Sequence, residues 1–170
     1  MNFNIKEQLP VNFNANSKVW VYQSSRFFNE VEALQLENIL HTFVANWKSH
    51  GDNVKGFAQL FFNQFIVLMA DETSVSVGGC STDTSVHLIK EIEQLFKTDL
   101  LNRQNLAFIV KDKIQLVPLA QLGYAVENDF ITGNTLYFNN TILTKKDLEE
   151  NWIIPIKQSW LKAKVPAKIG

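Results

Sequence analysis

The alternation of large side chains predicts a first β-strand over residues 18–23. Val19 and Val21 alternate with Trp20 and Tyr22, which is the period of two that a strand requires. Because both sets are bulky and apolar, we expect other parts of the protein to cover both faces of this strand.

A long helix is predicted directly after this strand. Asn29 is a suitable N-cap residue, and Glu32 follows at the third helical position, as in a capping box. Apolar positions then recur every three or four residues, which predicts one buried stripe: Ala33, Leu36, Leu40, Phe43 and Trp47. Gly51 stands where a glycine commonly follows a helix, so we expect the helix to end there.

Two hairpins and a second helix complete the predicted core. The apolar runs that pair in these hairpins are 57–62 with 65–70, and 106–110 with 114–117. The second helix begins near Asp83 and lies between the two hairpins. A short strand over 135–138 and a helix capped by Thr144 are predicted further on.

The order strand, helix, strand, strand, helix, strand is typical of ferredoxin-like folds. We therefore predict an α+β protein with a ferredoxin-like (split βαβ) antiparallel sheet, both helices on one face, and a C-terminal extension covering part of the sheet. No Gly/Ser-rich or Pro-rich linker divides the chain, so residues 18–165 are predicted to form one domain. Residues 1–17 contain five asparagines and Pro10, and we expect a flexible extension or an arm laid on a neighbour.

The composition limits the classes of partner. The chain has 170 residues, 46% of them hydrophobic, and a formal net charge of -1, which argues against a nucleic-acid binder. The longest apolar run, 65–70, is too short to span a membrane, and the first 20 residues show no signal-peptide pattern. One cysteine excludes an intrachain disulfide and a Cys-rich zinc site. We predict a cytoplasmic protein without a metal or cofactor, and with no nucleic-acid or membrane partner.

One edge of the predicted sheet is a candidate anion site. In the split βαβ arrangement we expect the first and third strands to be parallel neighbours, which would bring both helix N-termini to one edge. Helix N-termini favour anions, and a guanidinium at Arg26 suits carboxylate or phosphate. The predicted ligand-binding residues at this edge are Gln23, Ser24, Arg26, Cys80, Ser81, Asp83 and Ser85.

The same edge contains candidates for nucleophilic chemistry. Cys80 stands just before the predicted helix start, where a thiolate is stabilised, and Asp83 and His87 follow within eight residues. The alternative interpretation is helix capping, because Ser, Thr and Asp crowd helix starts for that reason alone.

Several motifs are absent, including the P-loop, the dinucleotide-binding glycine pattern and the zinc-protease and esterase signatures. Four runs resemble a family of small uncharacterised bacterial proteins that often carry the label "ABC transporter ATPase": 18–27 (KVWVYQSSRF), 65–73 (FIVLMADET), 79–87 (GCSTDTSVH) and 151–155 (NWIIP). The resemblance covers roughly residues 18–160 and supplies no catalytic residues. Without a phosphate-cradling loop the chain is not an ATPase.

The sequence is compatible with three functions. The first is a non-enzymatic binding module for a small anionic ligand or a protein partner. The second is a thiol-dependent enzyme or redox sensor that uses Cys80, helped by Asp83 or His87. The third is an interaction protein whose apolar strand faces serve homo-oligomer formation.

Overall fold

A computed structural model describes residues 1–165, except for the side chain of Cys80. Its helices and antiparallel sheets form an α+β fold, as the sequence predicts. In chain order the elements are β1 (Lys18–Gln23), α1 (Glu30–Asn46), β2 (Lys48–Ser49), β3 (Asp52–Asn53), β4 (Lys55–Phe61), β5 (Phe65–Asp71), α2 (Gly79–Phe96), β6 (Asn105–Val110), β7 (Lys113–Pro118), α3 (Leu122–Glu127), β8 (Leu136–Phe138), α4 (Lys145–Asn151) and β9 (Ile153–Pro155).

The strands form two main sheets rather than one. The first has the order β1-β5-β4, the second has the order β7-β6-β8-β9, and β2 and β3 form a separate small hairpin. A ferredoxin-like fold would add the fourth core strand to the first sheet. The structure does not confirm that topology, because this strand is β6 and it pairs with β7 and β8.

The strands β1 and β5 are neighbours, but they are antiparallel, with Lys18 opposite Ala70 and Gln23 opposite Phe65. The expectation of parallel neighbours was therefore wrong. The helix α1 crosses from β1 to β4, which run in the same direction, and the hairpin between β4 and β5 reverses the chain. The strand inserted between β1 and β4 must then run opposite to both.

Both long helices pack on one face of the first sheet. Buried side chains of α1 and α2 meet the even-numbered side chains of the strands in one apolar cluster, which includes Leu36, Leu40, Ile89, Ile92, Ile66 and Leu68. The predicted capping box of α1 is confirmed, since Asn29 Oδ1 accepts from the Glu32 backbone N–H and the Glu32 carboxylate accepts from the Asn29 N–H. Such a cap stabilises a helix by about 1 kcal/mol.

The opposite face of the first sheet is covered by the second sheet, by α4 and by the N-terminal segment. Its odd-numbered side chains, such as Phe65 and Val67, pack with Phe138, Leu148 and the fully buried Trp152. The chain itself therefore covers both faces of β1 and β5.

The N-terminal segment differs from the expected flexible extension. Ile5 and Leu9 are buried in the same cluster, at the N-cap and C-cap positions of the short 3-10 helix Lys6–Gln8. The Asn14 backbone N–H donates to Asp71 Oδ2 at 2.9 Å, and the Lys55 ammonium lies 3.2 Å from the same oxygen. The segment is thus an arm laid on its own domain.

The helix α1 ends at Asn46, before the position predicted from Gly51. Trp47 turns into extended backbone, is 2% exposed, and donates from Nε1 to the Ser81 carbonyl oxygen at 3.3 Å. Gly51 instead completes the turn between β2 and β3, where its φ of 86° suits glycine. The helix therefore ends where Trp47 adopts the extended backbone that buries its side chain.

Candidate functional site

Arg26 lies at the C-terminal end of α2. Its guanidinium donates two hydrogen bonds of 2.8 Å to the Glu32 carboxylate, and it also donates to the carbonyl oxygens of Phe27 and Phe96. The hydrogen bond from Arg26 is the largest cause that holds the pKa of Glu32 at about 2. Because these four hydrogen bonds commit the terminal guanidinium donors within the protein, Arg26 closes the last turn of α2.

The predicted serines at the start of α2 are also committed. Ser81 Oγ donates to the Lys48 carbonyl oxygen at 2.8 Å, which ties α2 to β2. Ser85 Oγ donates to the Thr82 carbonyl oxygen at 2.6 Å within the helix. Both residues are buried, so they support the packing of α2 rather than face a ligand.

The helix α2 begins at Gly79, with Gly78 as its N-cap, so Asp83 does not cap it. Asp83 and His87 are exposed on the first turns of the helix. The side chain of Cys80 lies outside the described residues, so the thiol hypothesis stays a prediction.

The predicted convergence of the two helix N-termini is wrong. Arg26 contacts Phe96, whereas Ser81 lies at the other end of the same helix, about 22 Å away at 1.5 Å per residue. The physical reason is that β1 and β5 are antiparallel, so their C-terminal ends lie at opposite ends of the sheet. The predicted ligand-binding residues therefore do not form one site.

Ser24 and Gln23, at the end of β1, have different environments. Ser24 Oγ is buried and lies 2.7 Å from Thr98 Oγ1, which ties β1 to the segment after α2. Gln23 points to the other side, toward the second sheet. Of the predicted site residues, Gln23 is the one in the described lining of a cavity between the two sheets.

A cavity of about 250 Å³ lies where the first sheet meets the second. Gln23 contributes from β1, Arg103 from the segment before β6, Tyr137 from β8, and Trp160 from the 3-10 helix Trp160–Lys164. Leucine side chains, among them Leu106, form apolar parts of the wall. The cavity thus combines a small polar set with an apolar wall, as ligand sites commonly do.

A chain of hydrogen bonds supports this cavity. Trp152 Nε1 donates to Asn140 Oδ1 at 2.9 Å, and Asn140 Nδ2 donates to Gln23 Oε1 at 2.9 Å. Gln23 Nε2 then donates to the Asn105 carbonyl oxygen at 3.0 Å. Because Trp152 is fully buried and Gln23 is 8% exposed, these bonds lock the amide groups in one orientation.

Tyr137 and Trp160 form a second polar pair on the wall. Trp160 Nε1 donates to the Tyr137 hydroxyl oxygen at 3.2 Å. Burial raises the pKa of Tyr137, so its hydroxyl keeps its proton at neutral pH. Within residues 1–165 the described hydrogen bonds assign no acceptor to that proton, which leaves it free to donate to a ligand.

The electrostatics of the cavity favour an anion. Arg103 is the one ionised side chain in the described lining, which contains no carboxylate. It is exposed and forms no ion pair with any residue that the structure describes. Burial raises the pKa of the neighbouring Tyr22, and the positive charge of Arg103 partly offsets this by lowering it.

Sequence reasoning missed most of this site. Arg103, Tyr137, Asn140 and Trp160 were not among the predicted site residues. One signal could have found Arg103: the chain has two arginines, and this one stands in the polar run 102–105.

Two other concave surfaces suit an anion less well. The groove between α1 and α2 has Ile39, Phe43 and Leu88 in its wall, and none of its described lining residues is charged. A pocket beside the N-terminal arm is lined by Asp71 and Glu72, whose carboxylates would repel an anion.

Comparisons with known proteins add no functional assignment. No family model matches the chain, and no curated protein or solved structure matches it significantly. The family resemblance of the four sequence runs stays a prediction. Among the described residues, no helix has the length and hydropathy to cross a bilayer, and no cluster of three acidic, His or Cys side chains suits a metal ion.

Proposed function

We propose that the protein is a non-enzymatic binding module that holds a small anionic ligand in the cavity between its two sheets. The observation that carries this proposal is the lining itself. It combines the Arg103 guanidinium with the uncommitted Tyr137 hydroxyl proton and contains no carboxylate among the described residues. A charged donor and a neutral donor of this kind are complementary to one anionic group.

The lining also supports binding rather than catalysis. General bases in proteins are most often His, Glu, Asp or Lys, and the described lining contains none of them. The amides of Gln23 and Asn140 are held by the hydrogen-bond chain, which fixes the cavity wall before a ligand arrives. A preorganised wall reduces the ordering cost of binding.

The experiment is titration calorimetry with acetate, benzoate and inorganic phosphate, together with thermal unfolding at saturating anion. We expect at least one anion to bind one-to-one and to raise the melting temperature. Arg103→Gln is expected to weaken binding at least about tenfold, since hydrogen bonds to charged groups contribute about 1.5–3 kcal/mol each.

Lys113→Gln is the matched control, because it removes one exposed positive charge from β7, outside the cavity lining. It is expected to leave the affinity within about twofold, as distant exposed charges are screened by salt. The proposal fails if no anion binds the wild-type protein, or if both variants weaken binding equally.

A further inference from the structure

Trp160 presents an aromatic ring at the cavity. The residue is 45% exposed, although large aromatic side chains are usually more buried. Its indole is nevertheless held, because Nε1 donates to the hydroxyl of Tyr137, which is 4% exposed. The Tyr137 ring packs in turn on the fully buried Phe108, with ring centroids 5.4 Å apart. The structure therefore offers an oriented, solvent-accessible ring in the wall.

The part of the cavity that Arg103 lines suits a ligand with a single negative charge. Arg103 is the sole cation of the described lining, and its planar fork matches the two oxygens of a carboxylate. Tyr137 lines the same cavity, and its hydroxyl proton is a second, neutral donor. A phosphate dianion would bring a second charge that no described lining residue neutralises.

The size of the cavity limits the body of the ligand. A volume of about 250 Å³ lies just below the range of roughly 300–1,000 Å³ that is typical of drug-sized ligands. The apolar wall includes Leu106 and Leu119, so the body of the ligand should be uncharged. One ring fits these limits.

We propose that the ligand is a carboxylate carried on a single flat ring, with the carboxylate at Arg103 and the ring against the indole of Trp160. This inference rests on the proposed function, because it names the chemical class of the anion in that same cavity. Flat rings favour offset stacking or edge-to-face contact with an indole, and such contacts discriminate against puckered rings of equal charge.

The test compares benzoate with cyclohexanecarboxylate, which has the same charge and a similar size but a puckered ring. Calorimetry on the full chain is expected to give at least about fivefold tighter binding of benzoate, which corresponds to roughly 1 kcal/mol of aromatic contact. Acetate measures the contribution of the carboxylate alone, and phenyl phosphate tests the alternative anion.

Two variants assign the preference to the indole. Trp160→Leu is expected to remove the preference for benzoate while acetate still binds, and Trp160→Phe, which keeps a ring, is expected to restore part of it. Tyr124→Leu is the control, because Tyr124 is 72% exposed and lies outside the cavity lining. It should leave the preference unchanged.

The outcomes separate this inference from the proposed function. Equal affinity for benzoate and cyclohexanecarboxylate, with binding still dependent on Arg103, overturns the flat-ring class and leaves the binding module intact. Tighter binding of phenyl phosphate than of benzoate overturns the carboxylate. If none of these anions binds, the proposed function fails, and the inference fails with it.

Discussion

The hydrogen-bond chain at the cavity makes a quantitative prediction for Asn140→Ala. The substitution removes the acceptor of Trp152 Nε1 and the donor to Gln23 Oε1. Trp152 is fully buried and Gln23 is 8% exposed, so two buried polar groups lose their partners. Each costs about 1–3 kcal/mol, which gives an initial range of about 2–6 kcal/mol.

The location of Asn140 narrows this range. Because Asn140 lines the cavity, a water molecule that enters the vacated space can satisfy Gln23. We therefore expect the lower part of the range, about 2–3 kcal/mol. For a chain of this length that loss lowers the melting temperature by roughly 4–12 °C.

The assay is urea unfolding followed by far-UV circular dichroism, which does not depend on the fluorescence of the tryptophans near the change. Asn139→Ala is the control. The Asn139 side chain accepts an exposed hydrogen bond from Thr141 Oγ1, and such a surface change costs within about 0.5 kcal/mol. Equal stability of the two variants would refute a structural role for the chain of bonds between the sheets.

Three further predictions test the packing and the charges elsewhere. Gly56→Ala should destabilise the protein by about 1–3 kcal/mol, because the new Cβ would lie 2.8 Å from Trp47 Cε3. Gly123→Ala is the control in the same denaturation assay. It should be neutral or stabilising, because its Cβ would meet nothing within 4 Å. Glu32→Gln should destabilise the protein at pH 7, and this difference in unfolding free energy should disappear as the pH falls from about 4.5 to about 2. The reason is that the pKa of Glu32 is lower in the folded protein than its ordinary value. Unfolding both proteins at stepwise pH measures the difference. Leu9→Ala should cost about 2–5 kcal/mol, since Leu9 is 4% exposed.

Each of these predictions has an outcome that contradicts it. Equal stability of Gly56→Ala and Gly123→Ala would contradict the predicted clash between the new Cβ and Trp47. A pH-independent effect of Glu32→Gln would mean that its carboxylate gains nothing on folding. A Leu9→Ala variant as stable as the wild type would show that the N-terminal arm does not contribute to the core.

Local features were predictable from the sequence. The strand β1 has the predicted bounds, and the cap of α1 involves the predicted pair Asn29 and Glu32. The hairpin between β6 and β7 also lies where the apolar runs indicate, with Lys111 and Asp112 at positive φ in its turn. In each case residues close in sequence determine the structure, so the pattern contains the necessary information.

The partition into two sheets was not predictable in this way. Whether β6 joins β1 or β8 depends on pairing between segments about 30 to 80 residues apart, and period-two patterns do not specify a partner. The error in strand direction then placed Arg26 and Ser81 together. The candidate site was missed for the same reason, because Arg103 and Trp160 meet only through long-range packing.

The departure from a single sheet also accounts for the cavity. At its start, β1 is covered on its free edge, where the Val19 N–H donates to the Leu143 carbonyl oxygen at 3.0 Å. At its end, β1 is joined to β6 through the side chain of Gln23, which bonds to the Asn105 carbonyl oxygen. A side-chain bridge holds two backbones further apart than the 4.7–4.9 Å of a ladder, roughly by the length of the side chain. The space between them is the cavity, so replacing this bridge with a continuous ladder would close the proposed ligand site.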